Sequence, residues 1–370
     1  MSITEPSKVP DNSPNAGPGS TSKHKVDPNL SRRDFLKLGG LGLAAAFLQN
    51  KNFLFADAFS GQQGRVTSRI AWMYNLPSVE GTQVKLCRRD MILDIVNTAI
   101  SEDVNAHNRV WYEIGTQDYI EGYVYSGNIQ PVRTILNTPT FVAIPVEGLL
   151  VEVSVPYTDA HEGPQRSSPA AYRMYYETTH WIKGITRNSE DQIWYEIHDD
   201  KWDKYYYARG EHLRILSPEE LAPITPEVPN SDKKIEVHLE PQLLTAYENG
   251  IPVFTSRVST GGIFRSGKYT TPRGSFVTYY KRPSRHMAAG DLTASGFDLP
   301  GVPWVQYITE SGISLHGTFW HNDFGRPRSH GCINLSVSAA KWLYRWSLPQ
   351  VPFDKVFSYG DSGTIVEIQL

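Results

Sequence analysis

The sequence predicts a mainly β protein: two small β-barrels, then a β-rich domain with a short helix. Three observations carry this. The 370 residues include 20 Tyr, 9 Trp, 29 Gly and 25 Pro, so aromatic and β-branched runs are punctuated by turn formers. Several runs alternate apolar and polar residues, the period of a half-buried strand. A four-residue motif recurs at a long interval, the mark of a duplicated unit. At about 100–200 residues per domain, two or three domains are expected. Hydrophobic residues at 40% and charged residues at 20% suit a soluble globular chain. The formal net charge of −3 provides no global basic field for nucleic acid. Two cysteines, Cys87 and Cys332, are fewer than a disulfide-stapled exported protein usually carries.

Residues 1–30 are rich in Pro, Ser, Asn and Lys and lack hydrophobic periodicity, so disorder is expected there. Ser31-Arg32-Arg33-Asp34-Phe35-Leu36-Lys37 follows, and it resembles the twin-arginine export signal at every position. The apolar run Leu38–Leu48 is too short to span a bilayer, and Ala56-Asp57-Ala58 has the small-x-small form of a cleavage site. Residues 1–58 are therefore expected to be a disordered N-region and signal peptide, leaving a mature chain that begins near Phe59. An uncleaved membrane anchor is the rival reading. The resemblance implies export of the folded protein to the periplasm or cell wall, with membrane contact only during export unless the signal persists. Folding in a reducing cytoplasm would keep a thiol free.

The repeat pairs Trp111-Tyr112-Glu113-Ile114 with Trp194-Tyr195-Glu196-Ile197, an offset of 194 − 111 = 83 residues. Each copy leads to a Tyr-rich strand, Gly122–Tyr125 or Tyr205–Ala208, and then a short apolar segment, Ile129–Val132 or Leu213–Leu216. Short strands spaced by turns suit small barrels. The pattern resembles bacterial Src-homology-3-like domains, expected over residues 65–134 and 146–216. Trp111 and Trp194 are expected as core aromatics and Cys87 as a buried small hydrophobe.

Pro218, Pro223, Pro226 and Pro229 mark residues 217–231 as a semi-extended linker. Residues 232–370 have the size of one further domain. Ile235–Leu239, Leu243–Tyr247 and Val253–Val258 read as strands, with Glu248-Asn249-Gly250 as a hairpin turn. Ile313–Thr318 reads as another strand, and Ser336–Trp346 as the clearest helix, with Ser336 as N-cap.

The chemistry concentrates in His316-Gly317 and Ser329-His330-Gly331-Cys332-Ile333-Asn334, with Cys332 lying 332 − 316 = 16 residues after His316. A histidine near a strand end can project into a cleft. A cysteine in a glycine-containing turn before a helix can meet a substrate carbonyl, with the amides around Gly331 and Cys332 directed at an oxyanion. A thiol of ordinary pKa about 8.5 needs a neighbouring base to act at neutral pH.

These residues, with Val258-Ser259-Thr260-Gly261 and Thr271-Pro272-Arg273-Gly274-Ser275-Phe276 upstream, resemble the L,D-transpeptidase catalytic domain across most of 232–370. The resemblance implies Cys332 as nucleophile and His316 as general base, oriented through the Gly317 carbonyl. It implies His330 and the turn amides for substrate and oxyanion binding, and Ser329 and Asn334 for holding the turn. Asn334 stands where many family members carry Arg, a departure that leaves a substrate-carboxylate contact unassigned. The implied substrates are peptidoglycan stem peptides, with no cofactor and no metal.

Alternatives stay open. The acyl-enzyme could pass to an amine, to water as in an L,D-carboxypeptidase, or to a wall protein. Zinc binding by His316, His321, His330 and Cys332 is a chemical rival, although the spacing fits no zinc motif. A non-catalytic wall-binding protein is a third class. Arg285, His286, Arg326 and Arg328 are candidate partners for substrate carboxylates, and Trp320 and His321 are candidate cleft residues. No motif sets the oligomeric state.

Overall fold

Strand-forming runs from Gln63 to Val132 pair into one seven-stranded sheet. The structure is a computed structural model and describes residues 62–264, 267–289 and 296–370; the export-signal motif lies outside them. The strands are β1 (Gln63–Val66), β2 (Ile70–Tyr74), β3 (Gln83–Arg88), β4 (Ile92–Ile100), β5 (Val110–Gly115), β6 (Ile120–Tyr125) and β7 (Ile129–Val132). Their order is β3-β2-β6-β5-β4-β1-β7. A second sheet contains β8 (Leu149–Val153), β9 (Tyr157–His161), β10 (Ala170–Tyr175), β11 (Thr179–Arg187), β12 (Ile193–Asp199), β13 (Lys204–Arg209) and β14 (Leu213–Ile215). Its order, β10-β9-β13-β12-β11-β8-β14, is the first with every strand number raised by seven. The duplication therefore extends from a four-residue motif to the whole topology. Trp111 in β5 and Trp194 in β12 are 3% and 0% exposed, and Cys87 is buried in the first core.

The C-terminal domain comprises β15 (Lys233–His238), β16 (Leu243–Glu248), β17 (Ile251–Arg257), β18 (Ile263–Phe264), β19 (Gly267–Lys268), β20 (Gly274–Val277), β21 (Tyr280–Ala289), β22 (Phe297–Tyr307), β23 (Ser314–Gly317), β24 (Ile333–Leu335), the helix α1 (Val337–Trp346), β25 (Ser358–Tyr359) and β26 (Ile365–Gln369). One five-stranded sheet runs β17-β16-β15-β26-β20 and the other β24-β23-β22-β21-β25. Ile235, Val237, Leu244, Trp304, Leu315, Ile333 and Leu343 form a shared core from both sheets and α1. Burial of these apolar side chains is what holds the sheets together.

Local chemistry places the edges of these elements. Asn249 and Gly250 have φ of 50° and 76°, as a two-residue hairpin turn requires. Ser336 Oγ accepts from the Ala339 N–H at 3.3 Å, capping α1 just after the turn that holds Cys332. At the other end, the buried Lys281 Nζ donates to the carbonyls of Tyr344 (2.6 Å) and Ser347 (2.7 Å). Lys233 Nζ donates to the Trp346 carbonyl at 3.1 Å. These amines supply donors to carbonyls at the helix end that lack an intrahelical partner, while burial pushes the pKa of both ammonium groups down.

The proline-rich segment 217–231 contains one 3-10 turn, Glu219–Leu221, and runs into a second, Asn230–Asp232. Leu221 and Ile224 pack on the C-terminal core. Glu220 binds Arg214 at 2.8 Å and Lys341 of α1 at 3.3 Å. The prolines restrict the chain, but these side chains dock it against the domain.

Candidate active site

Strands β23 and β24 run parallel, with Leu315 beside Ile333, His316 beside Asn334 and Gly317 beside Leu335. Alternation then puts Ser314, His316, Cys332 and Asn334 on one face. Cys332 is half-buried, and its Sγ lies 3.6 Å from Ser314 Oγ and 3.7 Å from the Gly312 carbonyl. His316 is 3% exposed, and its Nδ1 meets the Gly317 carbonyl at 3.0 Å. That contact puts the proton on Nδ1 and leaves Nε2 as the basic nitrogen. Gly317 is required by close approach: a Cβ there would lie 2.8 Å from Pro303 Cγ.

The turn is braced by the Ser259–Thr271 segment. The Arg328 and Ser329 amides both donate to the Thr260 carbonyl at 2.9 Å. Ser259 and Asn334 exchange backbone hydrogen bonds at 2.9 and 3.0 Å, and Thr271 Oγ1 donates to the Gly331 carbonyl at 2.8 Å. Gly331 has φ of 117°, a conformation suited to glycine. Its amide donates to Ser329 Oγ at 3.1 Å, and Ser329 Oγ donates to the Cys332 carbonyl at 2.5 Å. The Gly331 amide, expected from the sequence to face the oxyanion, is engaged by Ser329 Oγ in this structure.

His330 stacks on Phe264 with ring centroids 4.4 Å apart. Asn334 is 2% exposed, and its amide meets His321 Nε2 at 3.0 Å. Cys332, His316, His330, Ser329, Asn334, Trp320 and His321 all line one cavity of about 530 Å³, which Arg328 also reaches. Gly331 and Gly317 support it from the turn and strand end. Of the other basic candidates, Arg285 pairs with Asp200 at 2.5 Å and His286 sits between Asp199 and Asp298. Arg326 pairs with Asp323 at 2.5 Å. None of these three lines the cavity.

Sequence reasoning missed Ser314 and Asp323. A strand assignment with His316 facing the cleft would have put Ser314 beside it, two residues away. Asp323 carried no motif: its carboxylate is 0% exposed and receives His107 (2.8 Å) and Tyr125 (2.7 Å) from the first unit, and Arg328 (2.7 Å) from the turn. Among the described residues, no group of three or more His, Cys, Asp or Glu side chains is placed to hold a metal ion.

Burial dominates the electrostatics. Desolvation pushes the Cys332 thiol up and holds the His316 imidazole down to about 4. At neutral pH the resting pair is therefore thiol and neutral imidazole, not a preformed ion pair. Desolvation, with Arg328 nearby, lowers His321 to about 3, and desolvation lowers His180 to about 3.

These shifts predict acid lability. A histidine buried neutral binds fewer protons folded than unfolded, so its contribution is lost as pH falls below the ordinary 6.5. Glu177, raised by burial to about 7, and His286, raised by Asp199 and Asp298 against its burial, act in the opposite sense. The His286 gain is complete by about pH 6.5, so between 6.5 and 4.5 Glu177 alone partly offsets the three histidines. Below 4.5 Glu177 adds nothing further, while Glu220 and Asp323, each held to about 2 by cationic and hydrogen-bonding partners that outweigh burial, begin to lose stability as well. The melting temperature is expected to fall most steeply between about pH 4.5 and 3. Melting curves across pH 3–7 check this, and a flat profile would contradict it.

Residues 232–368 match the family model of the L,D-transpeptidase catalytic domain. This segment is an L,D-transpeptidase catalytic domain. YciB of Bacillus subtilis (strain 168), which carries the name of an L,D-transpeptidase, is 25% identical to the chain over 130 residues. The match covers 32% of this chain and 63% of that relative, so the chain spans less than two thirds of its length. Among solved structures, an L,D-transpeptidase from Mycobacterium smegmatis is similar at 25% identity and a TM-score of 0.30, covering 38% of this chain and 59% of that one. An L,D-transpeptidase from Xylanimonas cellulosilytica is similar at 29% identity and a TM-score of 0.26, covering 37% of this chain and 59% of its own. The catalytic domain holds every cavity residue that follows Tyr175 in the chain.

Proposed function

We propose that the protein is an exported peptidoglycan L,D-transpeptidase that works through a Cys332 thioester. The observation that carries this is the shared cavity, in which Cys332 and His316 face the same side of adjacent parallel strands. As a peptide carbonyl approaches, Cys332 Sγ attacks its carbon and His316 Nε2 takes the thiol proton. The Cys332 amide is the turn donor assigned to the oxyanion, and His330 helps to hold the substrate. Collapse breaks the amide bond, and His316 returns the proton to the departing amine. An acceptor amine then attacks the thioester, gives its proton to His316 and regenerates the thiol. Water in place of the amine gives trimming. Ser329 and Asn334 hold the turn, and Gly317 orients His316. No metal or organic cofactor enters these steps.

The twin-arginine-like segment supports export to the periplasm or cell wall, and the duplicated units support two Src-homology-3-like domains ahead of the catalytic domain. The test is to incubate the purified protein with tetrapeptide muropeptides and read the products by mass spectrometry. Crosslinked dimers support transpeptidation. Loss of the terminal residue alone assigns a carboxypeptidase, and unchanged substrate counts against both.

A further inference from the structure

We propose that the two N-terminal units complete the substrate cleft, and that Arg89 receives a carboxylate of the bound peptide. This rests on the transpeptidase reading and extends it to the substrate's charge. The cavity that holds Cys332 and His316 is also lined by Arg65 and Arg89 of the first unit and by Arg173 and Tyr175 of the second.

The N-terminal wall is built into the domain. Arg65 is 2% exposed and donates through Nη2 to the Phe319 carbonyl at 2.5 Å. Phe319 stacks on Tyr175 with centroids 5.3 Å apart, and the Arg65 guanidinium lies 4.0 Å from the same Tyr175 ring. Both units thus grip the segment three residues beyond His316.

Arg89 sits in the turn between β3 and β4, and its neighbour Asp90 pins that turn. Asp90 Oδ1 accepts from Arg65 Nη1 at 2.9 Å, and Oδ2 accepts from Arg173 Nη1 at 3.0 Å. Asp90 N–H donates to the Val66 carbonyl at 2.9 Å, and Arg89 N–H donates to that of Arg69 at 3.3 Å. The cation is therefore presented from a fixed backbone.

Charge accounting singles it out. Among the described residues, the guanidinium groups lining the cavity belong to Arg65, Arg89, Arg173 and Arg328. Arg65 is paired with Asp90, Arg173 with Asp90 and Asp159, and Arg328 with Asp323. Arg89 is exposed and is the one without an ion pair among them. The lone carboxylate lining the cavity among the described residues, Asp298, is held by His286. A planar guanidinium with free donors suits bidentate capture of a carboxylate. Asn334 offers no such charge, and its amide is taken by His321.

The test uses the full chain and two tetrapeptide donors that differ only in having their carboxylates free or amidated. Arg89→Glu is expected to lower kcat/KM for the free-carboxylate donor about tenfold or more, chiefly through KM, and to change the amidated donor far less. Arg89→Lys should recover part of the loss. Binding of both donors is also measured in Cys332→Ala alone and in Cys332→Ala combined with Arg89→Glu, which reads the contact without turnover. A Kd for the free-carboxylate donor that is the same in both proteins overturns the Arg89 assignment. Loss of turnover in the wild type with that Kd difference intact overturns the transpeptidase reading instead.

Discussion

Cys332→Ala is expected to reduce acyl transfer to or from a tetrapeptide by at least about 10⁴-fold while leaving the fold intact. The size of the effect follows from covalent chemistry: without sulfur no thioester forms, and the neutral His316 has no thiol proton to take. The intact fold follows from the surroundings of the side chain. The sulfur makes two long contacts, 3.6 Å to Ser314 Oγ and 3.7 Å to the Gly312 carbonyl. The turn itself is held by Thr260, Thr271 and Ser329. A single-turnover assay detecting the acyl-enzyme by intact mass, run beside a melting curve, measures both quantities. Retention of more than about one hundredth of wild-type activity would rule Cys332 out as nucleophile.

Asp323→Ala is expected to destabilise the chain by about 2–4 kcal/mol, among the larger effects of a single replacement. The carboxylate is 0% exposed and gathers His107 and Tyr125 from the first unit with Arg326 and Arg328 from the loop before the Cys332 turn. Removing it leaves the Tyr125 hydroxyl and the guanidinium groups without their shared acceptor. The two arginines are 50% and 33% exposed and can recover hydration, which keeps the loss below that of a fully buried pair. Asp323→Asn keeps the shape and part of the hydrogen bonding, so it should cost less. Thermal melts of the two variants, with His107→Ala added to Asp323→Ala, measure how much of the loss crosses between the units. An unchanged melt for Asp323→Ala would show that the node contributes little.

Recognition of the site rested on short-range order. His316, Gly317 and Ser329–Asn334 occupy neighbouring strands and one turn, so their types and order were enough to nominate them as one site. The hairpin at Asn249-Gly250 and the cap at Ser336 were legible for the same reason, since each is set by interactions within four residues. The paired motifs around Trp111 and Trp194 signalled the duplication, because a repeated strand pattern survives wherever the unit is placed. The long strands β21 and β22 and the C-terminal β26, which enters its sheet between β15 and β20, were not read from the sequence. Their pairing partners lie far away in the chain, and alternation alone does not name a partner.

The linear order of residues was enough to predict the mainly β class and the duplicated unit, and to nominate Cys332, His316 and the glycines beside them as candidates. Long-range contacts decided the rest. Ser314 became the thiol's neighbour through the parallel pairing of β23 with β24, and Ser329 took the Gly331 amide through the turn's closure. Arg65, Arg89 and Tyr175 line the cavity because two preceding units dock on Phe319, which lies 254 residues after Arg65 in the chain. Such contacts depend on how separately folded surfaces meet, and no local spacing in the sequence encodes that meeting.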